Sequence, residues 1–464
     1  MDFTPVPPKF GKSKSQTPDT SSFSSIQQPE QTTRSPLLAY NPARDGQSNQ
    51  ENHIVDSLEK GARAKVNSVR SMYEAEQDPK EKLEAFRKYY KELVNTQVGN
   101  REDNPFKKDI KKKIIASSDA EMKDEIERLS SKQSLTLEDI HNLDRRKTLE
   151  LEIETKYDIN ISEAKGKEEN RSNSGHWSEE QLIKLQSTLH KLPVKDVKNN
   201  HRLKEIIRVT NDYHGRQGLT AGHYENGGEH DGRIAMYDIS DQTGKNTFEQ
   251  TIAHEIGHSV YRRLQETPEG NAIIKQYEDI VGWRRLKNSS ELGTHLKANS
   301  GESENNVSKI ISKLDGQRIH DHSANDEEEN RVVVGNTRYM ANSYTKDGYL
   351  AADDDKLPDS KALSYARSDP GEGFAEGYAL EFVNTEKLNS PEEEAKVIDS
   401  QLKDRNSSLT KQTRENLEKR RVRLRRQQEA IKQQRRIMQE KIIHDDGSLT
   451  SKVSPIGPYE HYAT

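Results

Sequence analysis

The chain of 464 residues is long enough for two or three domains, but only 30% of it is hydrophobic and 33% is charged, so its folded core must occupy a fraction of the length. It has no cysteine, which excludes disulfides and thiolate-held metal, and a formal net charge of -5 gives the whole chain no preference for polyanions. No apolar run reaches the length of a membrane span, and no apolar h-region marks an ordinary secretory signal peptide.

Residues 1–52 are rich in Ser, Pro, Gln, Thr and Asn and follow neither helical nor strand periodicity, which predicts a disordered leader. A delivery or secretion apparatus could grip such a segment, because it is unfolded. From 53 to 160 the pattern is helical. Val55, Leu58, Ala62, Val66, Val69 and Met72 fall on one stripe, and Leu83, Phe86, Tyr90 and Leu93 on another. Thr136 with Asp139 reads as an N-cap ahead of Leu137, Ile140 and Leu143. The basic run Lys107 to Lys113 reads as a solvated face. Residues 161–176 are polar and read as a linker.

A second unit spans 177–390. Ser178 and Gln181 form a capping box before Leu182, Leu185 and Leu189, and Pro193 ends that helix. A turn-rich stretch from Gly215 to Gly232 contains His223 and His230, which read as loop histidines. Gly232 to Ser240 alternates as a strand, and its open edge could pair with an extended peptide. Then comes Thr251 to Val260, which holds His254, Glu255 and His258 in the order H-E-x-x-H. Residues four apart share one face of a helix, so the two imidazoles can meet one metal ion. Two imidazoles and a carboxylate suit Zn²⁺ and leave a fourth position for water. Glu255, next to the first ligand, is the candidate general base.

The third ligand must come from elsewhere. A G-x-x-H continuation would need Gly at 261 and His at 264, where Tyr261 and Leu264 stand. Glu278 is one candidate. His295, His320 and His322 lie in a polar stretch, about 288–330, that reads as an insertion loop. Another candidate is the helix starting at Asp369-Pro370, which carries Glu372 and Glu376 on one face. An acidic residue in a first turn also simply complements the helix dipole.

With His254-Glu255-Ile256-Gly257-His258 and the later Ser364-Tyr365 and Glu372-Gly373-Phe374-Ala375-Glu376, the chain resembles the metallopeptidase family typified by anthrax lethal factor. The resemblance covers roughly 177–384 and is specific in these two short motifs. It implies that Glu372 is the third zinc ligand and that Tyr365 faces the metal and stabilises the oxyanion. It further implies that Glu376 orients a ligand histidine from behind. The interval between His258 and Tyr365 is longer than the family would suggest.

From 391 to 446 the chain is again helical. Leu417, Leu424, Ile431 and Met438 recur every seven residues but alternate with Arg421, Gln428 and Arg435, so the pattern reads as one stripe packing on the helix near Val397. Arg420, Arg421, Arg423, Arg425 and Arg426 make the 411–441 helix a candidate for contact with an anionic surface, and the lack of interleaved aromatics speaks against specific nucleic acid binding. Residues 447–464 form a tail.

The sequence therefore predicts an α+β fold. A zincin-like metallopeptidase domain lies between mainly helical N- and C-terminal extensions, behind a disordered N-terminal leader. The expected activity is zinc-dependent peptide hydrolysis with one Zn²⁺ per chain. The expected setting is a bacterial toxin or effector, made in the bacterial cytoplasm and secreted or injected without a classical signal peptide, that cleaves a protein of the target cell. The alternatives are a helical interaction protein with an inactive zincin domain, or a housekeeping zinc peptidase of the producing cell.

Overall fold

The structure is a computed structural model that describes residues 60–163, 176–209, 221–237, 248–320, 332–335, 337–341, 349–353, 369–383, 390–403 and 409–439. The leader, the tail and Tyr365 lie outside the described residues.

Four helices come first: α1 (Lys60–Ala75), α2 (Pro79–Val94), α3 (Ile110–Ser130) and α4 (Leu137–Tyr157). Each contributes one apolar stripe to a shared core of Val66, Phe86, Leu93, Ile114, Leu129, Ile140 and Leu151. Thr136 and Asp139 close a reciprocal capping box on α4, satisfying backbone donors that would otherwise lack partners. Asp158, in the left-handed region at φ 51°, turns the chain out of α4. Strand β1 (Asn160–Glu163) follows at once. The start of the presumed linker is thus part of a sheet, because Asn160 to Glu163 pair in parallel with Glu205 to Arg208.

Helix α5 (Glu179–Lys191) starts at the Ser178–Gln181 capping box, and a short helix α6 (Val194–Val197) follows. Strands β2 (Glu205–Val209), β3 (Gly222–Glu225) and β4 (Arg233–Tyr237) complete the first sheet in the order β1-β2-β4-β3. The first three strands run parallel and β3 runs antiparallel to β4. The strand expected to offer an open edge, β4, therefore has neighbours on both sides. Among the described residues the edge on this side of the sheet belongs to β3, within the stretch whose glycines suggested only turns.

Below this sheet lies α7 (Phe248–Leu264). Its Ile252, Ile256 and Val260 pack against Ile206, Ile234 and Met236 of the sheet and Leu182, Leu185 and Leu189 of α5. Fully burying one such side chain contributes about 1.5–3 kcal/mol, so this stripe fixes which face of α7 is left for the polar residues. Next come α8 (Pro268–Val281), β5 (Trp283–Leu286), α9 (Ser289–Ser300), α10 (Glu304–His320), β6 (Val332–Val334), β7 (Thr337–Ala341) and β8 (Tyr349–Asp353). The four strands form an antiparallel sheet in the order β5-β8-β7-β6. Most of the expected insertion loop is helical: Leu292, Leu296, Val307 and Leu314 bury themselves against Leu286, Tyr339, Tyr349 and Ala351. These leucines are diluted among polar residues, and their stripe becomes apparent only with the sheet that covers it.

Helix α11 (Pro370–Phe382) is packed against α7, and α12 (Ser390–Lys403) and α13 (Lys411–Ile437) follow it. Leu424 of α13 is buried with Ala395 and Ile398 of α12, and Leu417 and Leu402 pack beside them. This is the helix near Val397, although Val397 itself is 57% exposed. Arg420 pairs with Glu394 at 2.9 Å, and Arg421 and Arg425 both reach Asp399, at 3.3 and 3.5 Å. Part of the basic run is thus answered within the chain. Further along, Ile431 meets Leu380 of α11, and Ile437 and Met438 enter the main core. The fold is mixed α+β and mostly helical. Among the described residues no helix is long and apolar enough to cross a membrane.

Candidate metal centre

Helix α7 carries His254 and His258 on one face and meets α11 backbone to backbone. At the crossing, a Cβ on Gly257 would lie 2.8 Å from the Ala375 Cα and 3.1 Å from its carbonyl oxygen. Any side chain there would wedge the helices apart, so glycine sets how near α11 can bring its first turn to the histidines. That first turn is pinned by Asp369, whose Oδ1 accepts from the backbone N–H groups of Gly371 at 2.6 Å and Glu372 at 3.1 Å. Burial, together with the Glu372 charge, pushes the Asp369 carboxyl up to about 6.

Three atoms converge. His254 Nε2 and His258 Nε2 each lie 3.1 Å from Glu372 Oε2, and 3.1 Å from each other. The rings meet edge to face, with centroids 4.8 Å apart. Ligands bound at about 2.0–2.1 Å around a tetrahedral ion sit roughly 3.3 Å apart, so the triangle is close to the size such an ion needs. Two imidazole nitrogens and a carboxylate oxygen facing one another are all acceptors unless a proton or a metal cation sits among them. The donor set and its spacing therefore fit zinc.

Electrostatics agree with this. Burial opposes charge on His254, but hydrogen bonds to Glu372 and Glu376 and the neighbouring Glu255 outweigh it and raise its pKa well above the usual imidazole value. His258 is raised as well: burial opposes this, and the Glu372 charge and hydrogen bond prevail. Burial would raise Glu372, yet the two histidines hold it far below the usual carboxylate range. The cluster is poised to hold one positive charge at its centre.

Around it is a buried support. Glu376 Oε2 lies 3.3 Å from His254 Nδ1, the nitrogen turned away from the triangle, and its Oε1 accepts from Gln250 Nε2 at 3.0 Å. Asp196 is fully buried and accepts from Tyr378 of α11 at 2.9 Å and from Arg263 of α7 at 2.6 Å, tying both helices to α6. Glu255, 7% exposed, lies under edge strand β3, where a Cβ on Gly222 would be 3.3 Å from Glu255 Oε1 and 2.7 Å from Thr251 Cγ2. Gly222 has no side chain to keep the strand off the Glu255 carboxylate.

The other candidates fall elsewhere. Glu278 faces Arg285 at 2.5 Å and accepts from the Tyr261 hydroxyl at 3.1 Å. It is a structural ion pair and does not join the histidines, because Arg285 supplies the charge it needs. His223 is on β3, His230 lies in the short 3₁₀ turn Gly228–His230, and His295 Nδ1 is 3.1 Å from the Tyr339 hydroxyl. His320 ends α10, and His322 lies outside the described residues. The sequence reading missed Gln250, Asp196 and Gly222. A polar residue one turn before His254 on the buried face was the only signal for Gln250.

Comparison of the chain with protein-family models, curated proteins and solved structures found no match in any of the three.

Proposed function

We propose that this chain is a zinc-dependent endopeptidase of the zincin type, similar to the lethal factor family. The observation that carries the reading is the joint placement of three elements: the His254, His258 and Glu372 triangle, Glu255 beside it, and an edge strand over Glu255. His254, His258 and Glu372 would hold the metal. A bound zinc ion would polarise a peptide carbonyl and acidify a water. Glu255 would take that water's proton and pass it to the leaving amine. The β3 edge would bind an extended peptide antiparallel and lay its backbone across α7. Tyr365, by the resemblance, would donate to the developing oxyanion. The same resemblance extends the proposal to a secreted toxin or injected effector that acts on a protein of the target cell, with residues 1–52 serving its delivery.

The test is proteomics of new N-termini in cells expressing wild type or Glu255→Ala at equal dose. Cleavage should fall about 10²–10⁴-fold in the variant while its zinc content stays at the wild-type level. Equal cleavage patterns in the two would refute the peptidase reading.

A further inference from the structure

We infer that Gln250 is a positioning residue for the metal site, holding His254 in its ligating tautomer through Glu376. The inference rests on the zinc reading above. A histidine that ligates through Nε2 must keep its proton on Nδ1, and an acceptor at Nδ1 fixes both tautomer and ring orientation. Glu376 is that acceptor, at 3.3 Å. A glutamate comes from α11 with rotatable bonds of its own, and nothing in its bond to His254 determines where the second oxygen goes. Gln250 Nε2 donates to that oxygen at 3.0 Å. Gln250 is 1% exposed and Glu376 6%, so neither group has water as a ready substitute.

The chemistry of an amide suits the position. It donates without carrying charge, so it does not compete as a cation for the carboxylate that faces the Nδ1 proton. A lysine or arginine would neutralise the carboxylate and weaken its hold on the imidazole. Gln250 also stands four residues before His254 on α7, so it spans the two helices from the ligand's own helix. A shift of α11 that moved Glu376 would have to break this bond.

The experiment measures zinc affinity by chelator competition on the full chain for wild type, Gln250→Met, Glu376→Ala and the double variant. Gln250→Met should weaken zinc binding about 3–10-fold, below the roughly 10–100-fold expected for Glu376→Ala. In the Glu376→Ala background the same substitution should change zinc affinity by less than about twofold, because its effect passes through Glu376. Gln250→Glu, nearly isosteric and lacking the donor, should act in the same direction if the methionine variant folds poorly. Equal losses in both backgrounds would mark Gln250 as a general packing residue and overturn the inference, as would no loss in either. Wild type that binds no zinc would overturn the proposed function, and this inference with it. Wild type that binds zinc, with additive variants, would overturn the inference alone.

Discussion

Among the described residues two regions gather histidine and glutamate, and they differ in what faces those residues. His254, His258 and Glu372 form one group, and Glu125, Glu163 and His176 form another, each with its ligating atoms within 4.8 Å. In the second group the space is filled by cations of the chain itself. Arg146 reaches Glu125 at 2.7 Å and Glu163 at 3.4 Å, and Arg128 reaches Glu125 at 2.5 Å. Next to them Lys147, fully buried, donates to Glu121 at 2.7 Å and Glu150 at 2.5 Å. In the first group the described partners of the triangle include more acceptors, Glu376 and Glu255. The same residue types thus make an ion network closed by arginine and lysine in one place and a candidate cation site in the other. Ligand chemistry alone does not mark a metal site; the charge of the groups around the ligands counts as well.

The sharpest way to break this comparison is to count metal. Purified chain should carry about one zinc, and His258→Ala or Glu372→Ala should remove it. His176→Ala should leave it in place. Elemental analysis that found two zincs per chain, or loss of zinc in the His176 variant, would place metal where the arginines already serve.

The next effect is on stability. Lys147→Met would leave Glu121 and Glu150 buried without their cation. Breaking a buried pair from one side costs about 3–5 kcal/mol, to be read from the denaturant midpoint. Glu150→Gln should cost much less, because Lys147 keeps Glu121 and an amide can still accept its hydrogen bond.

The sequence announced the candidate metal site more clearly than this network, for a physical reason. H-E-x-x-H is local: a single helix places both imidazoles, and Asp369-Pro370 locally starts the helix that bears Glu372. The capping boxes at Thr136 and Ser178 were equally local. Lys147 and Glu163 gave no such signal, since a lysine becomes buried only when α3, α4 and β1 meet around it. For the same reason Gly222–Glu225 read as turn: its pairing with Arg233–Met236 is fixed by the sheet. Leu292, Leu296, Val307 and Leu314 likewise looked sparse until their sheet was present. Glu278 stayed open as an alternative because its partner, Arg285, lies on the following strand.

Acid should act on the second region through Glu163. Burial would raise the Glu163 carboxyl, but Lys147, the hydrogen bond from His176 and Arg146 hold it at about 2. Its folded value is thus depressed below an unfolded value near 4.5. The stabilisation is complete above the unfolded value and is lost as pH falls toward 2. His176 is raised, by the same Glu163 bond against the cost of burial, so its share is complete below about 6.5 and fades as pH rises through the raised value. Glu163→Gln should reduce the acid-side slope in unfolding free energy between about pH 4.5 and 2. An unchanged slope would assign that titration to other carboxylates.

The smallest effect comes from the far end of α11. Glu381, 8% exposed, accepts from Arg435 Nε at 2.7 Å and from Gln439 Nε2 at 2.6 Å, joining α11 to α13. Arg435 is 36% exposed at its side chain, so solvent screens the pair, and Gln439 remains when Arg435 is removed. Arg435→Ala should therefore cost only about 1 kcal/mol of stability. Its effect on zinc should be smaller still. Glu381 lies nine residues beyond Glu372, roughly 13 Å along the helix. Between them Gly257 packs on Ala375, and Tyr378 is bonded to Asp196. Those contacts already fix the first turn, so a loosened last turn has little left to transmit. Zinc affinity within about twofold of wild type, measured beside a lowered denaturant midpoint, is the expected outcome. A loss of zinc as large as that of Gln250→Met would mean that the C-terminal helix, and not the Gly257–Ala375 and Tyr378–Asp196 contacts, sets the position of Glu372.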